Sequence, residues 1–193
     1  MDAKDNAVSF EDPEVLAEAG HRAFAAGNYA EAIRLFQQAG EGYRQQGDPL
    51  KAAEMENNRG VACRQAGRRE EAETAFRSAQ MAFARLEDRN REAQALGNLG
   101  GLYAEWGKGE EAVACLRQAA RIFQELDDRQ RAGETLCALG VLYFKRGRRQ
   151  EALAAYEAGV LLLEHPTGPQ KTLRRLLKLR RRLGIGPFPE LPS

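Results

Sequence analysis

Glycines recur every forty residues along this chain. Gly20, Gly60, Gly100 and Gly140 form one column, and Gly27, Gly67, Gly107 and Gly147 form a second, seven residues on. A fixed period of this length requires each unit to be one supersecondary element that stacks on its neighbours. Further columns keep the phase: Ala32, Ala72, Ala112 and Ala152; Phe36, Phe76, Leu116 and Tyr156; Tyr43, Phe83, Phe123 and Leu163. Asp48, Asp88 and Asp128 mark the joints.

Within each unit, apolar residues return at three- and four-residue steps on both sides of the second glycine, the pattern of two amphipathic helices joined by a short turn. The expected helix pairs are 13–26 with 29–46, 49–66 with 69–86, 89–106 with 109–126, and 129–146 with 149–164. Asp12-Pro13 and Asp48-Pro49 place a capping carboxylate before a proline at the first helical position, and Asp88 and Asp128 are expected to cap in the same way. The first glycine lies mid-helix, at a cost of about 1 kcal/mol relative to Ala. A close approach of the second helix, with its alanine column, offsets that cost. The second glycine is placed to take the left-handed conformation that ends a helix. Phe36, Phe76 and Tyr156 are expected to fill space between neighbouring hairpins.

The 193 residues carry a net charge of +1, and 30% of them are charged. The balance hides a polarity, since residues 165–193 hold seven Lys or Arg against Glu190 alone. Cys63, Cys115 and Cys137 are odd in number and widely spaced, which does not suit a disulfide framework. No stretch approaches the roughly 18 apolar residues that cross a bilayer, and the acidic start "MDAKDNAVSFEDP" has no apolar run. The expectation is a soluble, cytoplasmic chain.

Catalytic chemistry is not written in these residues. "GLYAEWGKG" (101–109) has the outline of a phosphate-binding loop, but five residues separate Gly101 from Gly107 and Gly109 replaces the magnesium-binding hydroxyl. The stretch also falls inside a helical hairpin, where such a loop has no preceding strand. His21 and His165, the only histidines, stand in no catalytic or metal-ligand spacing. Glu70-Glu71 and Glu110-Glu111 suit helix starts. The reading is therefore no enzyme, no metal and no cofactor.

The columns resemble the tetratricopeptide repeat. In the third unit the matching residues are Leu96, Leu99, Gly100, Tyr103, Gly107, Ala112, Leu116 and Ala119; in the fourth, Leu136, Leu139, Gly140, Tyr143, Gly147, Ala152, Tyr156 and Gly159. The resemblance covers residues 13–164. The period of forty is similar to the long-helix subclass that includes kinesin light chain, Pins-type adaptors and bacterial peptide-sensing regulators. The second unit departs from the pattern with Glu56 and Arg59 at apolar positions, and the aromatic after the hairpin turn survives only as Tyr29.

The resemblance implies an all-α, right-handed α-solenoid of about four hairpins (12–47, 48–87, 88–127 and 128–164), preceded by a disordered segment 1–11. A basic capping helix follows at 168–184, and an extended tail at 185–193. It also implies a protein-interaction scaffold or adaptor that grips a partner peptide or helix along a concave groove lined by the first helices. The groove residues so implied are Glu14, Ala17, His21 and Phe24; Glu54, Asn57, Asn58, Val61, Arg64 and Gln65; Gln94, Gly97, Asn98, Gly101 and Glu105; and Glu134, Cys137, Val141, Phe144 and Lys145. Asn58 and Asn98 sit two residues before the repeat glycine, where long-helix relatives place asparagines that bond a peptide backbone. An amide suits that role because it both donates and accepts. The carboxylate clamp of chaperone-binding relatives is largely absent, with Ala17, His21 and Gln94 in its place. The glutamates make the groove mixed to acidic, so the expected ligand has basic character and an apolar anchor near Phe24 or Phe144.

In "PQKTLRRLLKLRRRLG" (169–184), Leu173, Leu176, Leu177, Leu179 and Leu183 share one side of a helical wheel. Lys171, Arg174, Arg175, Lys178, Arg181 and Arg182 share the other, and Arg180 intrudes among the leucines. The favoured reading is a capping helix whose leucines cover the last hairpin. The alternatives are attachment to an anionic membrane or to nucleic acid, or head-to-tail self-association into a homo-oligomer. For the last, residues 1–20 supply six acidic side chains against Lys4. The absence of aromatics on the basic face counts against nucleic acid.

Overall fold

Each joint aspartate starts a helix. The Asp48, Asp88 and Asp128 carboxylates accept from the amides of Lys51, Arg91 and Arg131 at 2.9 Å, and Asp12 accepts from the Glu14 amide at 3.0 Å. In every hairpin turn the amide after the glycine donates to a carbonyl five residues back, as Lys108 does to Tyr103 at 2.9 Å. This closure needs a left-handed residue, and Gly107 supplies it with φ of 83°.

The computed structural model describes residues 12–183. The segment 1–11, read above as disordered, and the tail 185–193, read as extended, lie outside the described residues. The helices are α1 (Pro13–Ala25), α2 (Tyr29–Gln45), α3 (Pro49–Gln65), α4 (Arg69–Arg85), α5 (Arg89–Trp106), α6 (Gly109–Glu125), α7 (Arg129–Lys145), α8 (Arg149–Leu162) and α9 (Gly168–Arg182). No strand occurs among the described residues. The fold is an all-α helical repeat, and the helix ends match the sequence expectation to within two residues. The chain divides into two compact units, Met1–Leu86 and Glu87–Ser193.

The first-column glycines let the two helices of a hairpin approach closely, as expected, and the bulky column of the second helix makes the contact. A Cβ on Gly20 would lie 2.8 Å from the Phe36 ring, and one on Gly60 would lie 2.7 Å from the Phe76 ring. The bulky column therefore packs over the glycine of its own hairpin. The reason is geometric: sixteen residues on, after the turn, the chain has come back alongside the glycine.

In the first unit, α2 packs on α3 as well as on α1. Tyr43 is buried there with the Lys51 ammonium 5.1 Å from its ring centroid. The second hairpin has a polar seam. Glu56 and Arg59 pair at 2.5 Å with side chains 13% and 16% exposed, at the positions that Leu96 and Leu99, and Leu136 and Leu139, fill with apolar core.

In the second unit, Ala93, Leu96, Ala119, Ile122, Phe123 and Ala132 form a core cluster on which Leu162 packs. The Arg131 guanidinium lies 4.8 Å from the Phe123 ring centroid and bonds both Asp128 and Asn90. Helix α9 docks on α8. Leu173 packs on Cys137, Val160 and Leu163, and Leu177 is buried. Arg180, the intruder on the wheel, pairs at 2.8 Å with Glu157, whose side chain is 8% exposed. Of the five leucines expected to cover the hairpin, Leu176, Leu179 and Leu183 stay exposed, while Leu173, Leu177 and Arg180 face the hairpin.

Candidate functional site

The face expected to bind a ligand is divided between the two units. In the first, Glu14 and His21 are exposed on α1, and the His21 ring meets Phe36 edge-on at 5.1 Å. Phe24 is half-buried, tilted against Tyr29 at 5.5 Å. Ala17 is buried and lines nothing accessible. On α3, Glu54, Asn57, Asn58, Val61 and Arg64 are half-buried, and Gln65 is exposed. Asn57 to Val61 to Arg64 follows the four- and three-residue steps of one helix face.

In the second unit, α5 presents Gln94 and Glu105 as exposed and Gly97, Asn98 and Gly101 as half-buried. The Gln94 amide donates to Asn90 at 2.7 Å. On α7, Glu134, Val141, Phe144 and Lys145 are exposed, and the Glu134 carboxylate accepts from Gln130 at 2.6 Å. Cys137, expected on the groove, is buried against Gly159 and Val160, and burial pushes its thiol up to about 11. Burial raises Cys63 as well, which disfavours the thiolate at both sites. Among the described residues, no group of three His, Cys, Asp or Glu side chains is placed to hold a metal ion.

A cleft of about 400 Å³ lies between α7 and α8, lined by Gly140, Val141, Phe144, Arg149, Ala152, Leu153 and Tyr156. Val141 is 47% exposed, Phe144 68% and Leu153 59%. The repeat columns build it: a Cβ on Gly140 would lie 2.9 Å from the Tyr156 backbone, so the two helices stand close at its base. Leu153 was missed in the sequence. Its column reads Ile33, Glu73, Val113, Leu153, and Ile33 and Val113 are buried on helices that a further hairpin follows. Leu153 lies on the last second helix, and that position was the signal that could have found it.

A second cleft, of about 380 Å³, lies in the first unit among α2, α3 and α4, where Arg44, Glu56, Ala82 and Arg85 contribute to its walls. Its origin is a substitution pattern. Where Leu96 faces Ile122 in the third hairpin's core, the second hairpin has Glu56 and Ala82.

The tetratricopeptide repeat model matches residues 51–125 and 91–160, more than half of the chain. Comparison with curated proteins returns no match. Among solved structures, the chain is similar to BtubC (BKLC) from P. vanneervenii, with a TM-score of 0.70 and 23% identity over 94% of this chain and 68% of that one. It is also similar to the Rap conjugation gene regulator of the plasmid pLS20 in complex with the Phr* peptide, with a TM-score of 0.65 and 19% identity over 91% of this chain and 54% of that one. This chain thus spans about half the length of the Rap protein. At these identities the structures speak for the fold, and together with the sequence match they lead to one conclusion: the chain belongs to the tetratricopeptide repeat family.

Proposed function

We propose that the protein is a non-catalytic interaction module that binds a partner peptide or helix on the exposed faces of its first helices. The observation that carries this reading is the α7–α8 cleft, where Val141, Phe144 and Leu153 expose apolar surface in one concave place. Contiguous exposed apolar surface rimmed by polar groups marks interaction sites. A bulky apolar side chain of the partner seats beside Phe144. Ten residues earlier on α7, about 15 Å at the helical rise, Glu134 meets a basic residue of the same peptide. An extended peptide covers that span in four or five residues. In the second unit Asn98 bonds the peptide backbone, with Gln94, Gly101, Glu105 and Lys145 on the same first-helix faces; in the first unit Asn58, with Asn57 and Arg64 on α3, offers the same kind of contact by itself. The Rap relative was solved with a peptide bound, which accords with this reading.

Selection of displayed peptides on the full chain tests it. Peptides that combine an apolar anchor with a Lys or Arg four or five positions away are expected to enrich. Phe144→Asp should weaken them at least tenfold, and Glu134→Lys and Asn98→Ala should each weaken them several-fold. Selected peptides that bind all three variants unchanged would remove this site.

A further inference from the structure

Helix α9 carries an apolar seam that the described residues leave uncovered. Leu176, Leu179 and Leu183 are 58%, 51% and 61% exposed. Their spacing of three and then four residues is that of the a, d and a positions of a heptad. The flanking positions are unequal. On one side, Leu173 and Arg180 are spent on α8, against the Cys137, Val160 and Leu163 cluster and against Glu157. On the other side, Arg175 and Arg182 are exposed, one heptad apart, at the positions that set partner choice in helix pairs.

The preceding first helix, α7, has two neighbours: it packs on α6 through Ala132 and on α8 through Gly133 and Gly140. Helix α9 packs on α8 through one side of its apolar surface, and the leucine seam lies on the next side round. The geometry points to a second interaction surface, separate from the first-helix faces: α9 takes an amphipathic helix of a partner protein, with leucine-like residues facing Leu176, Leu179 and Leu183 and acidic residues facing Arg175 and Arg182. The chemistry favours this occupant over its rivals. A second copy of α9 packed antiparallel would set arginine against arginine. A membrane surface calls for a wide apolar face, whereas three leucines at heptad spacing form a seam one helix wide.

The probe is a three-heptad peptide with leucine at a and d and glutamate at e and g, labelled for fluorescence anisotropy with the full chain. A lysine version at e and g and a scrambled acidic version serve as comparisons. The acidic helix is expected to bind, and Leu179→Asp to weaken it at least tenfold with the circular dichroism melt unchanged. Arg175→Glu/Arg182→Glu is expected to reverse the preference toward the lysine peptide. Equal binding of the scrambled peptide, or full binding by Leu179→Asp, overturns the proposal. So does a dimer in light scattering that Leu179→Asp dissociates, which makes the seam a self-association surface. Co-sedimentation with phosphatidylserine vesicles that requires Leu179 and resists the peptide assigns the seam to membrane and overturns it equally.

Discussion

Helix α7 and helix α5 each hold a glycine whose replacement by alanine has opposite consequences. At Gly140 the new methyl would sit 2.9 Å from the Tyr156 amide nitrogen and 3.0 Å from the Ala152 carbonyl, backbone atoms that cannot step aside. Gly140→Ala is expected to cost about 1–3 kcal/mol, as overpacking does. Around Gly97 nothing lies within 4 Å, so Gly97→Ala is expected to gain up to about 1 kcal/mol through helix propensity. Urea unfolding of the two variants measures both. Tyr143 poses a subtler case. Its ring is fully buried, with the Arg148 guanidinium 4.7 Å from its centroid, while its hydroxyl has no protein hydrogen-bond partner. Removing a polar group that bonds nothing removes a desolvation cost, so Tyr143→Phe is expected to leave the midpoint unchanged or raise it.

At the scale of elements, the aspartate caps link stability to pH. Burial works to raise the Asp88 carboxyl, but the Arg91 amide and guanidinium outweigh it and hold the group below its ordinary value; Asp128 is lowered the same way by Arg131. A folded-state pKa below the unfolded value, near 3.9, adds stability that is fully present above that value and is lost as pH falls through the folded one. Asp88→Asn/Asp128→Asn keeps a capping side chain and is expected to flatten the stability profile between roughly pH 5 and pH 2, as followed by denaturant midpoints. The second hairpin offers a test of its polar seam. Glu56→Leu alone leaves Arg59 half-buried without its close partner and is expected to destabilise by about 3 kcal/mol. Glu56→Leu/Arg59→Leu/Ala82→Ile restores the apolar pattern of the third hairpin and is expected to stabilise by about 1–4 kcal/mol. Helix ends, caps and turn glycines were legible in the sequence because each is decided within a few residues. The seat of Phe36 over Gly20, the exposure of Leu153 and the half-covered face of α9 were not. Each depends on what packs against a residue from a distant part of the chain, and a helical wheel assigns Arg180 to the wrong company because it cannot see Glu157.

The whole molecule consists of two compact units, and its optical probes divide between them. Trp106, the only tryptophan, ends α5 in the second unit, whereas far-ultraviolet circular dichroism reports helices in both. Stability in repeat chains is approximately a sum of local terms, so the stabilised second hairpin is expected to shift the dichroism transition more than the tryptophan one. The glycine seats have a longer reach. Gly20 with Phe36 and Gly60 with Phe76 are pairs closed within a single hairpin, and so are Gly100 with Leu116 and Gly140 with Tyr156. Excising or duplicating any stretch of forty residues that begins at a joint removes or adds both members of a pair and orphans none. Whole hairpins are thus the natural units of length in this protein, since each carries a bulky side chain together with the glycine it rests on, whereas a deletion that begins between the two members of a pair parts them.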